Sequence, residues 1–179
     1  LTVSAEALAD KVKRGHHRMH CDFAFFVGAT ADNTKHLAEL ERLPGCAGVK
    51  VFMGSSTGSL LVADDAGLRA VLKVIRRRAS FHAEDEPRLN ERKNLRVEGD
   101  ARSHPVWRDE IAALKATQRL VTIAHETGAR VHVLHVSTVE EMEYLAGHKD
   151  VATVETTPHH LTLEAPGCYE RLGTRAQMN

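Results

Sequence analysis

Three side chains stand within or at the end of short apolar runs, and their types suit metal-dependent hydrolysis. Lys50 lies in GVKVFM (48–53), His82 in ASFHA (79–83) and His135 closes RVHVLH (130–135). Neutral imidazoles are the commonest ligands of zinc and related cations. The lysine is the odd member, because burying an ammonium is expensive unless the charge is paired or chemically altered. Its plain alternative is a strand-edge lysine reaching solvent. A strand histidine taken alone is more often a hydrogen-bonded structural residue than a ligand. His132 and His135 share one run. A spacing of three puts them on opposite faces of a strand, so His135 is expected to face the site and His132 to pack outward.

Two further segments border these runs. Pro158-His159-His160 follows the run at 151–157 and reads as a turn carrying polar side chains. Gly54-Ser55-Ser56-Thr57-Gly58 reads as a small-residue loop, either plain connection or a mobile element beside a site. The sequence holds no phosphate loop, no G-x-S-x-G and no H-E-x-x-H. Cys46 has no base next to it, which disfavours a catalytic thiol.

The elements that must position these residues alternate. Strand candidates are 20–27, 48–53, 79–83, 130–135 and 151–157; helix candidates are 4–15, 32–43, 64–77, 105–127 and 138–148. Ser4, Asp32 and Ser137 or Thr138 stand as caps, with Glu140 or Glu141 completing a capping box, and Gly128 closes the longest helix. The polar segment 84–104 reads as a long loop with a short helix. Buried-looking strands separated by helices make an α/β protein with a parallel sheet. A doubly wound nucleotide fold would show a G-x-G-x-x-G after its first strand, and FFVGATADN does not. A closed βα barrel needs about 250 residues, so five units here would be part of one. Five units standing alone would leave two raw sheet edges, and such a chain would be inactive or need a partner.

Composition narrows the class. The 179 residues carry 24 Lys and Arg against 24 Asp and Glu, so no net field attracts nucleic acid or an anionic membrane. No apolar run approaches the roughly 20 residues of a membrane span. Cys21, Cys46 and Cys168 are too scattered for a disulfide framework or a thiolate zinc site, which fits a reducing cytoplasm. The 12 histidines are many for this length and invite a search for ligands.

Taken together, GVKVFMGSSTG (48–58), FHAEDE (81–86), HVLHVST (132–138), ETTPHHLTL (155–163) and RAQMN (175–179) resemble the dihydroorotase branch of the amidohydrolase superfamily, in order from end to end. The resemblance implies a partial (β/α)8 barrel of about five units, strands three to seven of the family fold, spanning 1–179. It implies that Lys50 is carbamylated and bridges two zinc ions, that His82 and His135 bind zinc, and that His160 and Asn179 contact substrate. His159 is the weaker substrate candidate. The H-x-H metal pair and the aspartate acting as general acid/base would lie outside these residues. The implied reaction is reversible hydrolysis of dihydroorotate to N-carbamoyl-aspartate by zinc-activated hydroxide, in pyrimidine synthesis. Implied partners are the small-molecule substrate, a second copy in a homodimer, and aspartate transcarbamoylase. Hydantoinases and dihydropyrimidinases are the nearest alternative, but they carry a tyrosine near Ser55 and P-Q-Y where Pro158-His159-His160 stands. Allantoinase matches less well. A non-catalytic subunit is disfavoured because every ligand this stretch would hold is kept.

Overall fold

The computed structural model describes residues 1–54 and 60–178. Five strands form one sheet: β1 Phe25–Gly28, β2 Cys46–Phe52, β3 Ala79–His82, β4 Val131–Val133 and β5 Ala152–Val154. Every pairing is parallel, and spatial order equals chain order. A doubly wound sheet reverses direction at a switch point; this one does not. With right-handed crossovers, uninterrupted order places all connecting helices on one face, as in an arc of a βα barrel.

Among the described residues the helices are α1 Ala5–Gly15, α2 Leu37–Leu40, α3 Asp65–Val74, α4 Glu86–Arg92, α5 His104–Trp107, α6 Glu110–Thr127, α7 Val139–Ala146, α8 Pro158–Thr162 and α9 Gly167–Leu172, of which α2 to α7 lie between strands. Alternation along the strands supplies the core. Val27, Val49, Val51, Met53, Phe81, Val131 and Val133 are buried with Leu68, Leu72, Leu120, Ile123 and Leu145 from α3, α6 and α7. Fully burying each such side chain is worth roughly 1.5–3 kcal/mol.

Three of the expected caps are in place. Ser4 Oγ accepts from the Ala7 amide at 3.2 Å. Thr138, rather than Ser137, caps α7: its Oγ1 accepts from the Glu141 amide at 3.3 Å and donates to Glu141 Oε2 at 2.9 Å. Gly128 sits at φ 68°, the left-handed conformation a helix end requires.

Several expected elements are shorter or broken. The helix over 105–127 splits into α5 and α6, because the Asp109 carboxylate accepts from the Ala112 amide at 3.1 Å and restarts the helix there. The helix over 32–43 is a 3-10 turn at Thr34–His36 followed by the four residues of α2. Asp32 does not cap it. Instead Asn33 turns its amide to the carbonyls of Val3 and Gly28, both at 2.9 Å, tying the N-terminal segment to the end of β1. The strand expected at 20–27 occupies 25–28, and the one at 151–157 stops at Val154. The segment 84–104 contains α4 and two 3-10 turns. Of the small-residue loop at 54–58, only Gly54 falls within the described residues. The three cysteines are free. Among the described residues, no helix is long and apolar enough to cross a membrane.

Candidate active site

The strand register sets the site. Gly28, Lys50, Ser80, His132 and Thr153 form one row across the sheet, on the face opposite the helices. Phe52 and His82 pair one step further along the strands, nearer their C-terminal ends. Lys50 is half-buried, with its Nζ 4.6 Å from the centre of the Phe52 ring. His82 is buried and its ring lies 5.6 Å from that of Phe52.

His135 stands beyond the end of β4 with φ 40°. That left-handed turn aims its ring back over the sheet, and its Nε2 lies 3.0 Å from Nδ1 of His82. The turn also overturns the expectation for His132. Val131 and Val133 take the helix-facing side of β4, so His132 faces inward with Lys50, its Nδ1 2.9 Å from Thr153 Oγ1 and its Nε2 3.2 Å from Glu155. Alternation relates two residues only within one strand, and His135 has already left it.

The other nitrogen of His82, Nε2, lies 3.2 Å from Glu84 Oε2. Glu84 also receives a two-pronged contact from Arg108, whose Nε donates to Oε1 at 2.8 Å and whose Nη2 donates to Oε2. Burial works to raise the Glu84 pKa, but hydrogen bonds from His82 and Arg108 outweigh it and hold it lowered. An ionised Glu84 fixes the His82 proton on Nε2 and leaves the Nδ1 lone pair facing His135. Neither Glu84 nor Arg108 was assigned a role from the sequence. Glu84 is visible as the carboxylate two residues beyond His82. Arg108 has no local signal, since it reaches the site only through the break between α5 and α6.

Electrostatics join Lys50 to this pair. Burial, then the nearby His82 and Lys50, push His135 down to about 4, so it is a neutral imidazole at neutral pH. Burial lowers Lys50 to about 8, partly offset by Glu155. A lysine so shifted has a free-base fraction near neutrality, and the free amine is the form that adds carbon dioxide. His160 lies in the middle of the five-residue α8 with Nδ1 2.9 Å from Thr157 Oγ1, and its charge is also felt at His135. Burial, then His159, lowers its pKa. His159 contacts the same hydroxyl, through Nε2 at 2.9 Å. A cavity beside the strand ends is lined by His82, Glu84, Arg108, His135, His159 and His160. Lys50 lies outside that lining, lower on the sheet. Asn179 lies outside the described residues.

This donor set fits a divalent cation. Two nitrogens bound to one zinc at roughly 2.0–2.1 Å lie about 3.0–3.4 Å apart, and the facing nitrogens of His82 and His135 are 3.0 Å apart.

No family model matches the chain. Among curated proteins it is 31% identical to a dihydroorotase of Methanosarcina mazei, over 99% of this chain and 41% of that protein. A dihydroorotase of Halobacterium salinarum is 36% identical over 73% of the chain and 30% of that protein. An allantoinase of Deinococcus radiodurans is 30% identical over 89% of the chain and 38% of that protein. Among solved structures, the L-hydantoinase (dihydropyrimidinase) of Arthrobacter aurescens superposes with a TM-score of 0.88 at 24% identity, over 99% of this chain and 41% of that one. The chain thus spans about two fifths of the length of the proteins it matches along nearly its whole extent.

These likenesses define the class the chain resembles: it aligns with dihydroorotases and allantoinases of the amidohydrolase superfamily, and its sheet matches an arc of their barrel. Within the class, the likeness to the dihydroorotases runs through 99% of the chain rather than the motifs alone. Allantoinases, expected from the motifs to match less well, align at nearly the same identity.

Proposed function

We propose that the protein is a dihydroorotase, that residues 1–179 supply strands three to seven of its barrel, and that Lys50, His82 and His135 hold its zinc. The observation that carries the metal assignment is the convergence of His82 Nδ1 and His135 Nε2 at 3.0 Å, in a site where His135 is neutral. Lys50, carbamylated, is the anionic ligand that joins them. When bound, zinc polarises the ring amide carbonyl and brings a water near neutral pKa.

The remaining chemistry belongs to side chains. Glu84, kept ionised by its ion pair with Arg108, holds His82 in one tautomer and orientation. His160, held by Thr157, lines the cavity assigned to the cyclic substrate, and Asn179 is assigned as its second polar contact. Opening the ring breaks one C–N bond and consumes one water. The leaving nitrogen takes a proton from an aspartate outside these residues. The homodimer and aspartate transcarbamoylase belong to this same reading as partners, with the cytoplasm as its compartment and pyrimidine synthesis as its pathway.

One observation favours a second reading. The 30% identity to an allantoinase nearly equals that to a dihydroorotase, and both names denote hydrolysis of cyclic amides. A substrate panel on full-length protein separates them: dihydroorotate, allantoin, hydantoin and dihydrouracil. Dihydroorotate is expected to lead in kcat/KM by at least roughly 100-fold, because a site built for particular polar groups rejects analogues that leave them unpaired. A lead for allantoin overturns the assignment. Lys50→Ala is expected to remove most activity and much of the bound metal, and full turnover in that variant would refute the carbamate. Absence of both metal and turnover in the wild type would leave a non-catalytic subunit.

A further inference from the structure

We propose that His125, His148 and Asp150 form a second metal site, selective for zinc-class divalent cations, at the opposite end of the sheet from the candidate active site. His125 lies in the last turn of α6, just before β4, and His148 and Asp150 lie between α7 and β5. All three therefore precede strands, whereas His82 and His135 stand at strand C-terminal ends. Nothing in the hydrolase reading uses them.

The geometry is that of a ligand set. Nε2 of His125 lies 3.3 Å from Nδ1 of His148, the separation of two imidazoles on a tetrahedral zinc with bonds of roughly 2.0–2.1 Å. One donor atom from each of the three residues lies within 4.8 Å of the others. Asp150 Oδ2 is 3.7 Å from the other ring nitrogen of His125, Nδ1, and its side chain is 64% exposed, so it is free to rotate toward the two imidazole nitrogens as the third ligand. The imidazoles come from fixed backbone. His125 is carried by the 18-residue α6. The His148 carbonyl accepts from the amides of Val151 and Ala152, and its ring rests 4.4 Å from that of Tyr144.

Electrostatics favour a cation here. The C-terminal turn of a long helix carries partial negative charge, and Asp150 adds a carboxylate. Two nitrogens and one oxygen leave a fourth position to water, and imidazole donors select zinc, copper or nickel over magnesium or calcium. In a βα barrel the N-terminal rim of the strands serves stability rather than catalysis. The site therefore clamps α6 to the entry of β5 and leaves turnover alone.

Full-length protein, stripped of metal, is titrated with zinc by calorimetry as wild type and as His125→Ala/His148→Ala. The variant is expected to bind one zinc fewer per chain, or to bind it at least roughly tenfold more weakly, since loss of even an outer partner costs about that much. Its rate on the best substrate of the panel, with active-site metal restored, is expected to match wild type. Equal stoichiometry and affinity in the two proteins overturns the site. Should the variant fold poorly, anomalous scattering at the zinc edge from wild-type crystals decides: a peak between His125 and His148 supports the site, and none refutes it.

Discussion

At the scale of single residues, the site depends on which nitrogen of His82 carries the proton. Glu84 settles this from one side and His135 receives the consequence on the other. Glu84→Gln keeps the shape but removes the charge that both His82 and Arg108 address. Metal affinity is expected to fall about 10- to 100-fold, as for other outer partners of ligating histidines, with a matching loss of rate at limiting zinc that excess zinc restores. Equilibrium dialysis against zinc measures the first effect, and a variant with unchanged affinity would show Glu84 to be structural only. The three ligand candidates were legible as residue types within or at the ends of apolar runs. The orientation of His132 was not, because it depends on where β4 stops and on a positive φ at His135, neither of which leaves a sequence mark.

At the scale of elements, the break between α5 and α6 matters more than its size suggests. It lets Arg108 turn toward Glu84 while Asp109 caps α6 and receives Arg88, whose Nε donates at 2.7 Å. Burial works to raise the Asp109 pKa, but the Arg88 hydrogen bond, the Ala112 amide and the Arg88 and Arg92 charges hold it lowered. A carboxylate with a lowered native pKa stabilises the fold above its unfolded value near 4, and that contribution fades as pH falls through the native value. Asp109→Ala is therefore expected to cost about 1–2 kcal/mol at pH 7. The gap in Tm from wild type is expected to narrow below about pH 4, as followed by thermal melts across pH. A gap independent of pH would mean that the cap acts by shape rather than charge. The helix over 105–127 was readable as one apolar period; its interruption was not, since Trp107 and Ile111 fit the same helical pattern on either side.

At the scale of the whole molecule, the sheet has helices on one face and two edge strands, β1 and β5. Phe26 is 45% exposed and Val154 38% exposed at those edges. Unpaired strand edges beside apolar side chains are association sites. A polypeptide of these 179 residues alone is expected to self-associate in sedimentation experiments and to show no dihydroorotate hydrolysis above background. The full-length protein is expected to do both jobs: cover the edges and turn over substrate. A monomeric, active 179-residue polypeptide would show that the arc needs no further strands.

The amino-acid sequence alone determined the alternation of strands and helices, the parallel sheet, the caps at Ser4, Gly128 and Ser137 or Thr138, and Lys50, His82 and His135 as ligand candidates, because each follows from local periodicity or side-chain chemistry. Tertiary structure decided the rest. It chose the arc over the doubly wound sheet through strand order, brought Arg108 to Glu84 across 24 positions, and met His125 with His148 across 23. Contacts at such separations form only when the chain closes on itself, and the free energy that selects them comes from packing the whole core rather than from any local run of residues.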